Sequence, residues 1–339
     1  MRRFTYARPA SPQAAVAAFT AAGTGARYIA GGTTLYDLMK LDIERPAHLI
    51  DVTAMDGLDR IETGGDRLRF GALAPMSAVA VDRTVLRDYP VLAESLSKAA
   101  SQQLRNMATV GGNLFQRTRC LYFRNGAGGT SAGTTYPCNK RAPGSGCAAI
   151  GGLDRGQAVL GASADCTAVS PGDWPVALVA LDAYVEVLGS QGTRSLPVAQ
   201  LYRLPGSTPQ LEFTLAPDEI VTAIVVPKTR AGRRSAYHKI RDRESYAFAL
   251  ASAAVALEME GDVVAQARIA LGGIATKPWR ATAAENALAG QRLTRQSAAT
   301  AGHAALTGAV AGKHNRFKID LAARVVADAL MIAAERTKA

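Results

Sequence analysis

Apolar and polar positions along the chain alternate with periods that divide it into short elements. Ser11 and Pro12 precede a run to residue 22 whose apolar positions recur at helical spacing, with Ser11 placed as the cap and Pro12 at the first helical position. Residues 27–30 form a short apolar strand that enters Gly31-Gly32-Thr33-Thr34-Leu35. A helical stretch at 36–41 and a second strand at 48–52 follow. Strand, glycine turn, helix and strand predict a small βαβ unit whose turn presents N–H groups and two hydroxyls to whatever lies above it. The turn does not fit the Gly-x-Gly-x-x-Gly dinucleotide fingerprint, and on its own it is only a tight turn.

Further along, strands are expected at 59–62 and 68–72 around Gly64-Gly65-Asp66, then helices at 75–81 and 91–100. Residues 106–114 carry a second glycine pair, Gly111-Gly112, read as a turn matching the first and as the opposite wall of one phosphate-binding cleft. Residues 115–172 read as loop, with glycine-rich stretches at 126–130, 141–146 and 151–152. A loop of that length in a compact domain is uncommon unless it is functional or pinned. An apolar helix at 174–184, strands at 184–188 and 219–226, and a boundary near Pro227 come next. Beyond it lie strands at 235–240 and 267–273, an apolar alanine-rich stretch at 248–258, and helical stretches at 280–310 and 319–335. No internal repeat is visible.

Composition narrows the possibilities. With 339 residues, 48% apolar and 20% charged, the chain has material for two or three domains and a sizeable core. No apolar run approaches the ~20 residues needed to span a bilayer. The N-terminus has Arg2 and Arg3 but no apolar stretch behind them, so the expected location is the cytoplasm, or the periplasm by co-export with a signal-bearing subunit. The net charge is +11. It comes without a basic block or interleaved aromatics, which argues against nucleic acid. Between Glu94 and Asp154 there is no carboxylate, while Lys98, Arg105, Arg117, Arg119, Arg124, Lys140 and Arg141 all fall there. Such a stretch favours an anionic guest, or is simply a solvated basic loop.

All four cysteines, Cys120, Cys138, Cys147 and Cys166, lie in that loop region, separated by 17, 8 and 18 residues. Structural zinc usually shows short Cys-x2-4-Cys pairs, which are missing. Two disulfides would suit a secreted chain, although a core of this size needs no such staples. An iron–sulfur cluster takes four thiolates and would be offset by the surrounding cations, but these gaps match no common ferredoxin spacing. The cluster is the favoured reading, with disulfides second. His48, His238, His303 and His314 show neither metal nor triad spacing.

Three segments together carry a resemblance. They are Tyr28-Ile29-Ala30-Gly31-Gly32-Thr33-Thr34-Leu35, Thr109-Val110-Gly111-Gly112-Asn113, and Asp173 followed by Pro175-Val176-Ala177-Leu178 and Leu181-Asp182-Ala183. Nearly the whole chain resembles the FAD-binding medium subunit of the molybdenum hydroxylases, the xanthine dehydrogenase family. The insertion containing Cys138-Asn139-Lys140-Arg141-Ala142-Pro143-Gly144-Ser145-Gly146-Cys147 is similar to that of the flavin and 4Fe-4S subunits of bacterial periplasmic aldehyde oxidoreductases. The resemblance implies an α+β protein: an FAD-binding fold of two α/β subdomains of the vanillyl-alcohol-oxidase/PCMH type, at 1–55 and 56–227 with an iron–sulfur loop at 115–172. A C-terminal α+β domain at 228–339, with a small antiparallel sheet and helices, would complete it.

The same resemblance implies site roles. Tyr28, Ile29, Ala30, Gly31, Gly32, Thr33, Thr34 and Leu35 would wrap the FAD pyrophosphate. Thr109, Gly111, Gly112 and Asn113 would line the other side, and Asp173 would accept from the adenosine half. Val221 and Lys239 would lie near the flavin ring, Lys239 being otherwise an ordinary solvent-facing strand residue. The four cysteines would ligate a 4Fe-4S cluster. No residue of this chain would be catalytic toward substrate. The implied assembly has a molybdenum-cofactor large subunit that oxidises an aldehyde with water to the acid. A small subunit with 2Fe-2S centres would pass electrons to FAD here and on to an external acceptor, through a cluster that is either a relay or a clasp on the loop. The alternative is a stand-alone flavoprotein oxidoreductase with a disulfide-pinned loop.

Overall fold

The computed structural model describes residues 2–125 and 135–336. The glycine-rich stretch expected as loop at 126–130 therefore lies outside the described residues. Three sheets organise the rest. Strands β1 (Thr5–Ala7), β2 (Ala26–Ile29) and β3 (His48–Asp51) form a parallel sheet in the order β1-β3-β2. Helix Pro12–Ala22 connects the first two, capped by Ser11 Oγ on the Ala14 N–H at 3.2 Å and stopped by Gly23 at φ +65. Helix Leu35–Lys40 connects the second to the third, which completes the expected βαβ unit.

A five-stranded sheet follows, built from β4 (Ile61–Glu62), β5 (Arg67–Gly71), β6 (Tyr184–Gly189), β7 (Gly192–Pro197) and β8 (Ile220–Pro227) in the order β4-β5-β8-β6-β7, with antiparallel neighbours. Four antiparallel strands, β9 (Ser235–Ile240), β10 (Ala251–Glu260), β11 (Val263–Gly272) and β12 (Trp279–Arg280), make the third sheet in the order β12-β11-β10-β9. The apolar alanine-rich stretch proves to be β10, a central strand whose first seven residues are all buried.

Helix Trp174–Ala180 is buried on every face because it is packed on every side. It lies against helix Pro90–Ser97 and against β10 and β11, so it ties the five-stranded region to the C-terminal sheet. Trp174 stands edge-on to Phe70 with ring centroids 5.7 Å apart. Helix Phe317–Glu335 covers β9 and β10, and helix Arg295–Ala304 packs on it. No helix among the described residues is long and apolar enough to cross a membrane.

Several elements differ from expectation. The glycine pair at 111–112 is not a turn but part of the short helix Val110–Leu114. Helices Arg83–Asp88 and Gln102–Met107 and strand β7 had no expected counterpart. The stretch at 280–310 is two helices, Thr282–Leu288 and Arg295–Ala304. Between them the Gly290 N–H, at a residue with φ +72, donates to the Val264 carbonyl and turns the chain back to the sheet edge. The 115–172 loop contains one short helix, Leu121–Arg124, among its described residues.

Gly302 shows how closely the last two helices approach. A Cβ there would fall 2.2 Å from the Ala323 carbonyl oxygen. Gly302→Val is therefore expected to lower stability by roughly 1–3 kcal/mol through overpacking. Denaturant melting of the full chain checks this, and a midpoint equal to wild type would contradict the close contact.

Candidate functional site

The two glycine segments meet. A Cβ on Gly31 would lie 1.8 Å from the Met107 carbonyl oxygen, so only glycine lets the turn after β2 rest on the backbone that leads into Thr109. Residues 28–35 are all partly exposed and form an open strip beside this contact. Among the described residues the N–H groups of Gly32, Thr33 and Thr34 have no main-chain acceptor, and Thr34 makes no capping bond. Tyr28 is committed elsewhere: its ring packs on Phe19 at 4.8 Å and its hydroxyl donates to the Asp218 carbonyl at 2.7 Å.

The facing wall is rigid. Thr109 Oγ1 accepts from the Gly112 N–H at 3.1 Å, and the Gly111 N–H donates to the Ala72 carbonyl at 2.8 Å. A Cβ on Gly111 would strike Ala72 at 2.7 Å. Ala72 is held in turn by the Thr222 carbonyl, which brings buried Val221 of β8 near the same corner. Asn113 Oδ1 is buried with no partner among the described residues. An orphaned buried acceptor is unusual in a folded protein and marks a place for a donor from outside the chain. Unengaged donors, a backbone approach that only glycine permits, and an orphan acceptor fit an anionic dinucleotide.

Lys239 does not face solvent. Its side chain is 1% exposed, and Nζ donates to Asp173 Oδ2 at 2.8 Å and to the Lys98 carbonyl at 2.9 Å. Asp173 Oδ1 accepts from the Tyr237 hydroxyl at 2.6 Å. Burial pushes the Tyr237 phenol far up, with the Asp173 charge adding to it, so it stays a donor. Burial lowers Lys98, whose Nζ donates to the Tyr237 carbonyl at 2.6 Å. The structure thus joins Asp173 and Lys239, which sequence placed at different ends of one ligand, and engages both Asp173 oxygens inside the protein.

The four cysteines converge on a cavity of about 280 Å³, measured to its open rim. All four are free thiols, so no disulfide pins the loop. Cys138 and Cys147 pair across an isolated antiparallel bridge. Among the described residues no group of three or more His, Cys, Asp or Glu is placed to hold a metal ion. Phe123, Pro137, Ala149 and Ala168 share the wall with Asn139, Lys140, Gln157 and Asp165, and burial raises the Cys120 thiol and pushes Cys166 up to about 11. Donors nonetheless reach the sulfurs. Gln157 Nε2 lies 3.4 Å from Cys120 Sγ, and the Ala168 N–H lies 3.5 Å from Cys166 Sγ. Four thiols facing one enclosed space, with N–H groups directed at sulfur, fit a multi-iron cluster, which is larger than one ion.

The cations of the carboxylate-poor loop turn out to be mostly paired. Arg117 bonds Glu212 at 2.9 Å and also Glu44, while its guanidinium lies 4.6 Å from the centre of the Phe123 ring. Lys140 bonds Glu212 at 3.0 Å. Burial pushes the Glu212 carboxyl up, but Arg117 and Lys140 outweigh it and hold it below the ordinary range. Asp37 takes Arg119 and Arg124. The expected offset of cluster charge by free cations is therefore corrected: three carboxylates distant in sequence are already paired with four of them. Arg141 acts differently, donating to the carbonyls of Tyr122, Phe123, Asn125 and Tyr136.

This fold and the glycine-lined strip are those of the flavin-binding subunits of molybdenum-dependent oxidoreductases, and the chain belongs to that family. Residues 2–229 match the FAD binding domain in molybdopterin dehydrogenase, and residues 235–333 match the CO dehydrogenase flavoprotein C-terminal domain. The chain is 46% identical to the aldehyde oxidoreductase FAD-binding subunit PaoB of Escherichia coli (strain K12), over 97% of this chain and 98% of that one. It is 26% identical to the carbon monoxide dehydrogenase medium chain of Hydrogenophaga pseudoflava, over 90% of this chain and 86% of that one. A solved structure of carbon monoxide dehydrogenase from Hydrogenophaga pseudoflava superposes with a TM-score of 0.75 at 26% identity, covering 99% and 98% of the two chains.

Sequence reading missed Gln157, whose side chain lines the thiol cavity, and the Tyr237 contact to Asp173. Removing one partner of the buried pair leaves an uncompensated charge, so Asp173→Asn is expected to cost about 3–5 kcal/mol of stability. The double variant Asp173→Leu/Lys239→Met should lose much less. Equal losses in the two proteins, compared by urea denaturation, would show that the pair is not coupled.

Proposed function

We propose that this chain is the FAD and 4Fe-4S electron-transfer subunit of a heterotrimeric molybdenum-dependent aldehyde oxidoreductase. A molybdenum-cofactor large subunit would convert aldehyde and water to the acid. Electrons would come from 2Fe-2S centres of a small subunit through FAD to an external acceptor. The observation that carries the reading is the convergence of four free thiols on one cavity, in a chain of the flavin-binding family. The name of the E. coli relative at 46% identity supports the aldehyde assignment. Location in the periplasm, by co-export with a signal-bearing subunit, rests on the family resemblance, with the cytoplasm as the alternative.

When bound, the flavin takes up and releases electrons singly or in pairs and the cluster carries them singly. The chain's own residues bind and orient these groups. The free N–H groups of Gly32, Thr33 and Thr34 would receive the pyrophosphate, with Ile29, Ala30, Gly31 and Leu35 shaping the strip. Thr109, Gly111 and Gly112 would form the far wall, and Asn113 Oδ1 would accept from the ligand. Asp173 would serve the adenosine half by sharing a lone pair beyond those already used. Lys239, paired with Asp173 at 2.8 Å, would hold that carboxylate in place, and Val221 would lie near the flavin ring. Cys120, Cys138, Cys147 and Cys166 would bind iron.

The purified chain should show a flavin spectrum with iron and labile sulfide. Cys147→Ser should lose the iron and keep FAD; unchanged iron content would sink the cluster, and unchanged turnover with every acceptor after iron loss would sink the relay. Gly31→Val should weaken FAD binding at least about tenfold and keep the iron, since the clash with Met107 closes the strip. Flavin titration of the variant, with iron measured alongside, decides this.

A further inference from the structure

We infer that Gln157 is a positioning residue for the iron–sulfur cluster, directing its side-chain N–H at Cys120 and thereby raising the cluster's reduction potential. This rests on the cluster reading proposed above. Gln157 is 4% exposed and lines the thiol cavity, with Nε2 lying 3.4 Å from Cys120 Sγ. Its Oε1 is buried without a partner among the described residues. A buried amide that leaves its oxygen unbonded is not oriented by its own needs. Its side-chain nitrogen is the atom turned toward sulfur.

The backbone is held from three sides. The Gln157 carbonyl accepts from Lys318 Nζ at 3.1 Å and lies 3.4 Å from Asn315 Nδ2. The Gln157 N–H donates to the Asp154 carbonyl at 2.8 Å, and the Asp154 carboxylate is fixed by the N–H groups of Lys313 and His314, each at 2.7 Å. On the other flank the Ala158 N–H donates to the Thr167 carbonyl at 2.8 Å, next to Cys166. The start of helix Phe317–Glu335 therefore grips the residue that connects the Cys120 and Cys166 sides of the cavity. Across the cavity the Ala168 N–H lies 3.5 Å from Cys166 Sγ, so a donor is directed at sulfur on each side. Hydrogen bonds to a ligating sulfur stabilise the more negative, reduced cluster, so the donor from Gln157 favours reduction.

The test compares wild type with Gln157→Leu as purified full chains, measuring iron, labile sulfide and FAD and titrating the cluster by EPR at set potentials. Expected for Gln157→Leu is full FAD and a reduced-to-oxidised cluster ratio about tenfold lower at a fixed potential, which is ~59 mV for one electron. A fully loaded variant with the wild-type potential would overturn the proposal. If Gln157→Leu loses iron, Gln157→Met decides, because it keeps the length of the side chain, carries no charge and has no N–H to donate. A lower potential or lost iron with FAD retained then supports the proposal, and wild-type iron at the wild-type potential overturns it. Wild type lacking iron and labile sulfide would instead refute the cluster itself, a failure visible without any variant.

Discussion

The constraint on which the rest depends is that a long stretch without sheet ladders must still satisfy its main-chain polar groups and hold four sulfurs in place. Residues 115–172 solve this with side chains that bond to backbone. Arg141 gathers carbonyls from Tyr122, Phe123, Asn125 and Tyr136. Asn139, next to Cys138, donates to the Asp165 carbonyl at 3.1 Å and accepts from the Gly146 N–H at 2.7 Å. One amide thus bonds beside three of the four cysteines. The contribution of each bond is small, about 0.5–1.5 kcal/mol, but leaving any of these buried groups unbonded would cost more than the bond supplies.

The flavin side is built by the opposite means. There the chain omits atoms: Gly31 against Met107 and Gly111 against Ala72 are places where a Cβ would collide with backbone. What remains is a strip of unbonded N–H groups facing a short, well-bonded helix. The Asp173–Lys239 pair behind it is a different kind of element, a charge pair taken out of water and completed by Tyr237 and the Lys98 carbonyl. Such a pair adds little net stability over an apolar substitute, so its use is in holding a lysine in one place.

What could be read from the sequence was what local chemistry dictates. Ser11, Pro12 and Gly23 mark a helix because capping involves residues three or four apart. The βαβ unit was legible because its strands and turn are contiguous. Strand β7 was not, since five of its six residues are exposed at a sheet edge and carry no apolar period. Helix Gln102–Met107 buries nothing, and only the Ser101 cap announces it. A glycine pair usually signals a turn, but at Gly111 and Gly112 its value is close packing, which depends on Ala72. Cysteine count and clustering pointed to a shared guest. Neither could reveal that Arg117, Arg119, Arg124 and Lys140 are already paired with Glu44, Glu212 and Asp37, because those contacts span long separations.

Those long separations also explain why the C-terminal domain matters to a loop far from it in sequence. Buried Lys318 donates to the carbonyls of Gly156, Gln157 and Gly273, so one ammonium joins the thiol-bearing loop to the end of β11. Burial pushes this amine down to about 8, because its bonds are to carbonyls and its nearest opposite charge, Asp242, is not in contact. A cation in that position is tolerated only while all three carbonyls are in place. The loop, the sheet end and the first turn of the last helix must therefore be ordered together. Every residue lining the thiol cavity comes from the flavin-binding domain, and the C-terminal domain braces the backbone of that loop from behind through Lys318.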